Sequence, residues 1–129
     1  MPSFLHTMVR VRNIECSLAF YSTLGMRELR RRDVPEGKYT LVFIGFAENA
    51  AGQAEIELTY NWGQDDGYDV GSGFGHFAVG VPDVAATVEH IRAGGGKVVR
   101  EAGPVQFGTR VIAFVEDPDG YRVELIEQP

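Results

Sequence analysis

With 129 residues and 44% hydrophobic content, the chain has about one domain's worth of core-forming material, so no intrinsic disorder needs to be invoked. Its formal net charge of -6 leaves no clustered cations for a phosphate backbone apart from the short run Arg30-Arg31-Arg32, so nucleic acid is not an expected partner. Cys16 is the only cysteine, which rules out an internal disulfide and fits a reducing, cytoplasmic setting. No stretch approaches the roughly 20 apolar residues of a membrane span, and the opening MPSFLHTMVRV holds no apolar run of signal-peptide length.

The first strand pattern is LHTMVRV, where alternation puts Thr7, Val9 and Val11 on a core face and His6, Met8 and Arg10 on the other. A helix follows over residues 15–24, with Leu18, Tyr21 and Ala19 as its apolar stripe and Gly25 as its stop. Arg30-Arg31-Arg32 reads as a solvated strand end or loop. YTLVFIGF is the next strand run. EIELTYNW then assigns Ile56, Leu58, Tyr60 and Trp62 to the core face, with Glu55, Glu57, Thr59 and Asn61 opposite. The Gly- and Asp-rich segment GQDDGYDVGSGFG reads as a linker.

Beyond the linker the order starts again. HFAVGV turns His76, Ala78 and Gly80 away from Phe77, Val79 and Val81. VAATVEHIRAGGG is a helix with Val84, Val88 and Ile91 inward and glycines at its end. TRVIAFVED continues as strand, and EDPDGYRVEL combines a hairpin turn, Pro in its second position, with a strand that turns Tyr121, Val123 and Leu125 to the core and Glu124, Arg122 and Ile126 outward.

These two series are one internal repeat. His6, Val9, Val11, Ile14 and Gly25 match His76, Val79, Val81, Val84 and Gly95 at a constant offset of 70, and Glu57 matches Glu124 at 67. The predicted fold is α+β: two tandem βαβββ modules, about 1–62 and 75–129, joined by a linker of about 63–74 into a single domain, with sheets curving around a shared cleft. Two of the three histidines and two glutamates occupy equivalent positions facing away from the helices. If each module gives its first and last strands to the cleft, His6, Glu57, His76 and Glu124 form a His2Glu2 set, suited to Ni, Co, Zn, Mn or Fe(II). His90 falls mid-helix and takes no role. GSGFG and AGGGK lack the strand and helix context of phosphate loops. DPDG lacks the other ligands of a calcium loop, and Cys16 has no histidine nearby in sequence.

HTMVRV, IELTYNW, GH at 75–76, REAGPV and FVEDPDGYRVELIE together resemble the glyoxalase I (lactoylglutathione lyase) branch of the vicinal oxygen chelate superfamily, over essentially the whole chain. The resemblance implies isomerisation of the methylglyoxal–glutathione hemithioacetal to S-D-lactoylglutathione, the step that detoxifies methylglyoxal. It implies a homodimer with active sites at the interface, where His6 and Glu57 of one chain meet His76 and Glu124 of the other around one divalent ion. The compact chain is similar to the nickel- or cobalt-activated bacterial class, which leaves zinc as the alternative. Glu124 is then the base that moves a proton through a metal-stabilised enediolate, able to leave the ion when substrate binds.

Arg10 and Asn61 each lie four residues past a ligand on its strand face, about 13 Å away, and become candidates for holding glutathione, with His76 also at the substrate. Relatives often carry a basic residue in the loop after AGPV; this chain has Gln106 there, with Arg100 and Arg110 nearby, which leaves the contact to the glycine carboxylate open. Two other classes share the fold: extradiol dioxygenases and thiol transferases, with two His and one Glu as ligands, and drug-sequestering proteins without the metal quartet. Glu57 as a fourth ligand separates this chain from them.

Overall fold

The computed structural model describes residues 1–46 and 53–128. The first unit, Met1–Tyr68, contains β1 (His6–Arg10), α1 (Ile14–Ser22), β2 (Met26–Val34), β3 (Tyr39–Phe46) and β4 (Glu55–Asn61). The second, Asp69–Pro129, contains β5 (Phe77–Val81), α2 (Val84–Ala93), β6 (Lys97–Pro104), β7 (Val111–Glu116) and β8 (Arg122–Glu127). Each is a βαβββ module with a four-stranded sheet, ordered β1-β4-β3-β2 in one and β5-β8-β7-β6 in the other. The first and last strands of each module pair in parallel, and the remaining neighbours are antiparallel.

Both helices start on a side-chain cap. Asn13 Oδ1 accepts the backbone N–H of Cys16 at 2.9 Å, and Asp83 Oδ1 accepts that of Ala86 at 3.0 Å, so each satisfies one orphan donor of the first turn. Both end before a left-handed glycine, Gly25 at φ +91° and Gly95 at φ +87°. α2 buries Val84, Val88 and Ile91 against β6, β7 and β8, as the spacing predicts. In α1 the buried stripe is Ser17, Phe20 and Tyr21. Of the expected Leu18, Tyr21 and Ala19, Leu18 is half-buried and Ala19 exposed. The helix also ends at Ser22, because the Thr23 N–H and hydroxyl already turn back to the Phe20 carbonyl.

Most of the alternation read from the strands is the observed one, but at the end of β4 Thr59, expected on the open face, is buried at 8% exposure and Tyr60, expected in the core, is half-buried. Val9, Val11, Ile56 and Leu58 are buried in the first unit, and Val79, Val81, Tyr121, Val123 and Leu125 in the second. Trp62 departs from it: it is 43% exposed, and its Nε1–H donates to Thr40 Oγ1 at 2.8 Å, since an indole N–H is better served by a hydroxyl than by the apolar core. Arg30-Arg31-Arg32 also departs from the expected strand end or loop and lies inside β2. A register shift between Glu28 and Arg30 brings Arg30 opposite Phe43, and its counterpart between Val98 and Arg100 brings Arg100 opposite Phe114. On the face away from the helix, one cross-strand row therefore reads Met8, Glu57, Phe43, Arg30, and its repeat reads Ala78, Glu124, Phe114, Arg100.

Candidate metal centre

In the first unit, parallel pairing sets Met8 beside Glu57, so His6 stands two residues along on the same face. His6 Nε2 and Glu57 Oε1 are 3.1 Å apart, with side-chain exposures of 32% and 13%. Phe43 meets the His6 ring edge-to-face at 5.3 Å between centroids. Arg30 lies over Phe43, its guanidinium carbon 4.0 Å from the ring centroid, and forks onto Glu55 at 2.8 and 3.3 Å. Its pKa is raised, first by the hydrogen bond to Glu55 and then, against the cost of burial, by the charges of Glu55 and Glu57.

The second unit repeats the construction. Parallel pairing sets Ala78 beside Glu124, and His76, just ahead of β5, reaches it with Nε2 3.1 Å from Oε1. Phe114 meets the His76 ring at 5.2 Å, again edge-to-face. The equivalence found between four ligands thus extends to a fifth and sixth residue, Phe43 and Phe114. Sequence reading passed over them because an aromatic on a strand reads first as core; the signal available was their near-constant offset of 71.

Outside the His–Glu–Phe groups the halves diverge. Arg122 stands where the first unit has Glu55, at the same offset of 67 that relates Glu57 to Glu124. Arg100, the counterpart of Arg30, donates instead to the carbonyl oxygens of Gly103, Pro104 and Ile112 at 2.7–3.2 Å. The first pair therefore stands beside an Arg30–Glu55 ion pair that has no counterpart beside the second pair among the described residues.

Each pair fits a divalent ion by donor chemistry: one imidazole nitrogen and one carboxylate oxygen, both reachable from solvent yet part-buried. Two donors bound about 2.1 Å from an ion lie about 3.0 Å apart at a right angle and about 3.4 Å apart at a tetrahedral one. The observed 3.1 Å lies between the two, so both donors of a pair can reach one ion. Within either unit, no group of three His, Cys, Asp or Glu side chains gathers among the described residues.

Arg10 is exposed at the end of β1. Asn61 closes β4, and its Nδ2–H donates to the Tyr68 hydroxyl at 3.0 Å. Gln106 and Arg110 lie exposed between β6 and β7. The DPDG turn holds itself: Asp117, 5% exposed, accepts the N–H groups of Asp119 and Tyr121 on its carboxylate, each at 2.9 Å, and that of Gly120 on its carbonyl at 3.0 Å.

Two βαβββ modules in tandem, each with a His–Glu pair on the face away from its helix, define a glyoxalase-type α+β domain. The model of the Glyoxalase/Bleomycin resistance protein/Dioxygenase superfamily matches residues 3–125. A lactoylglutathione lyase of Haemophilus influenzae is 58% identical over 95% of this chain and 90% of its own, and a probable lactoylglutathione lyase of Synechocystis is 56% identical over 95% and 93%. Among solved structures, glyoxalase I of Zea mays superposes with a TM-score of 0.90 at 46% identity. That likeness covers 98% of this chain, which spans only 44% of the maize chain. The trypanothione-dependent glyoxalase I of Leishmania major gives a TM-score of 0.85 at 41% identity, over 98% and 87%. The chain belongs to this superfamily, in the branch of the lactoylglutathione lyases.

Proposed function

We propose that the chain isomerises the hemithioacetal of methylglyoxal and glutathione to S-D-lactoylglutathione, at sites where His6 and Glu57 of one protomer meet His76 and Glu124 of its partner. The observation that carries this reading is the pair of 3.1 Å His–Glu contacts at repeat-equivalent positions. Each supplies half of a four-ligand set. Pairing between protomers is supported by apolar side chains left exposed beside the first half-site, Phe4 at 71%, Leu5 at 69% and Met8 at 39%. The ion we assign is Ni(II), with Co(II) also activating and Zn(II) as the alternative, in keeping with the likeness of the compact chain to the nickel- or cobalt-activated class; imidazole nitrogen and carboxylate oxygen donors suit all three.

Held there, a divalent ion supplies Lewis-acid stabilisation of the negative charge that develops on the substrate oxygens. The chain's own work is proton transfer and positioning. Arg30, forked onto Glu55 and stacked on the Phe43 that packs against His6, forms a network that buttresses the first pair. Glu124 lies outside that network, and we assign it the proton: it takes it from the carbon next to the carbonyl and returns it to the adjacent carbon. Arg10 and Asn61 hold the γ-glutamyl part of the thiol, Arg10 through its carboxylate.

Metal-stripped protein given methylglyoxal and glutathione tests the reading. Thioester absorbance should appear when Ni or Co is restored and stay lower with Zn. Silence with every ion would remove the proposal.

A further inference from the structure

Arg122 stands apart from the other cations of the sheet face. Arg30 is committed to Glu55, Arg100 to three backbone carbonyls, and Lys97 to Glu116 at 3.3 Å. Glu116 is the residue directly opposite Arg122 in the β7–β8 ladder, so the nearest cross-strand carboxylate is already engaged. Among the described residues, the Arg122 side chain makes no hydrogen bond or ion pair. It lines a cavity of about 390 Å³ within the second unit, together with His76, Phe114, Phe74 and Gly75. The register Phe77↔Val123 carries His76 alongside Arg122, so this cavity opens directly beside the His76–Glu124 pair.

An unpaired guanidinium in the wall of a partly apolar cavity is built for a planar anion, which it can grip with two parallel N–H groups. Arg122 is two residues before Glu124, about 7 Å along the strand, and a Cys-Gly segment spans about the same length. We propose that Arg122 receives the glycine carboxylate of the thiol substrate, the contact that Gln106 in the β6–β7 loop cannot supply by charge. This inference rests on the functional reading above, and it separates the two carboxylates of glutathione: Arg10 takes the γ-glutamyl one and Arg122 the glycine one.

The test is a substrate-by-variant cycle on the nickel-loaded protein, using hemithioacetals of glutathione, of its glycine ethyl ester and of its γ-glutamyl α-amide. Arg122→Gln should raise KM for the glutathione adduct about ten- to hundredfold through loss of a charge-assisted pair, with kcat little changed, and Arg122→Lys should recover part of that loss. The glycine ester should cost the wild type a similar factor and cost Arg122→Gln nothing more. Calorimetric binding of S-hexylglutathione and its glycine ester should show the same pattern without turnover. If Arg122→Gln weakens acid and ester equally, or if its penalty disappears only with the γ-glutamyl amide, the assignment is overturned. Wild-type activity with an unchanged KM in Arg122→Gln sinks this inference alone. A wild type that neither turns over the adduct nor binds S-hexylglutathione sinks the functional reading with it.

Discussion

At the scale of single residues, the two halves agree in their His–Glu pairs and differ in what surrounds them. Glu57 and Glu124 are matched in position, exposure and distance to histidine, so ligation alone gives no reason for one to be the base. Arg30 gives one, since Glu57 is among the charges that raise its pKa and its fork on Glu55 fixes the stack over Phe43, with no counterpart at Glu124. At saturating nickel, Glu124→Gln should therefore lower kcat by about 10²–10⁴, while Glu57→Gln should chiefly raise the metal concentration that activity requires; equal kcat losses would leave the roles unassigned. Arg30→Met should cost at most about 1 kcal/mol of stability, because the Arg30 side chain is more than half exposed, yet weaken metal retention about tenfold against a competing chelator. The two His–Glu pairs were legible in the sequence because each member is a repeated polar residue on an alternating strand. The place of Arg30 was hidden for a physical reason: which carboxylate a strand arginine meets depends on cross-strand register, and a bulge at Glu28/Arg30 shifts it.

At the scale of elements, strand faces and the second helix were readable because apolar alternation and 4-and-3 spacing are local properties. The first helix was misread by one position. Its core contact is carried by the small Ser17 beside Phe20 and Tyr21, and burial of a serine follows from neighbours that periodicity does not name. The helix ends offer a test of the repeat as a physical unit. A Cβ at Gly95 would meet nothing within 4 Å, and one at Gly25 would meet only Phe46 at 3.8 Å, so the cost of alanine at either is the left-handed backbone alone. Gly25→Ala and Gly95→Ala should each destabilise by about 1–2 kcal/mol, and Gly95→Asn by less, since asparagine tolerates that conformation. Denaturant midpoints check this. A Gly95→Asn protein no better than Gly95→Ala would point to a steric cause instead.

At the scale of the whole molecule, each unit supplies one His–Glu pair, half of the four-donor set we propose, which makes the completeness of a site a question about chains. If every site joins the first unit of one protomer to the second unit of another, damage to either unit inactivates a homodimer for a different reason. A His6→Ala/Glu57→Gln chain and a His76→Ala/Glu124→Gln chain should each be inactive alone. Mixed, unfolded and refolded together at equal amounts, half of the dimers pair unlike chains, and in those one site carries all the damage while the other is intact. Activity should then return to about a quarter of wild type, the statistical yield for a two-fold dimer. Sites built within one chain would give none at any mixing ratio. The outcome turns on these side chains alone, because the four substitutions lie at exposed or half-buried positions on or beside the sheets, away from the two cores, and a mixture that sediments as dimers yet stays inactive would place both pairs of one site in the same chain.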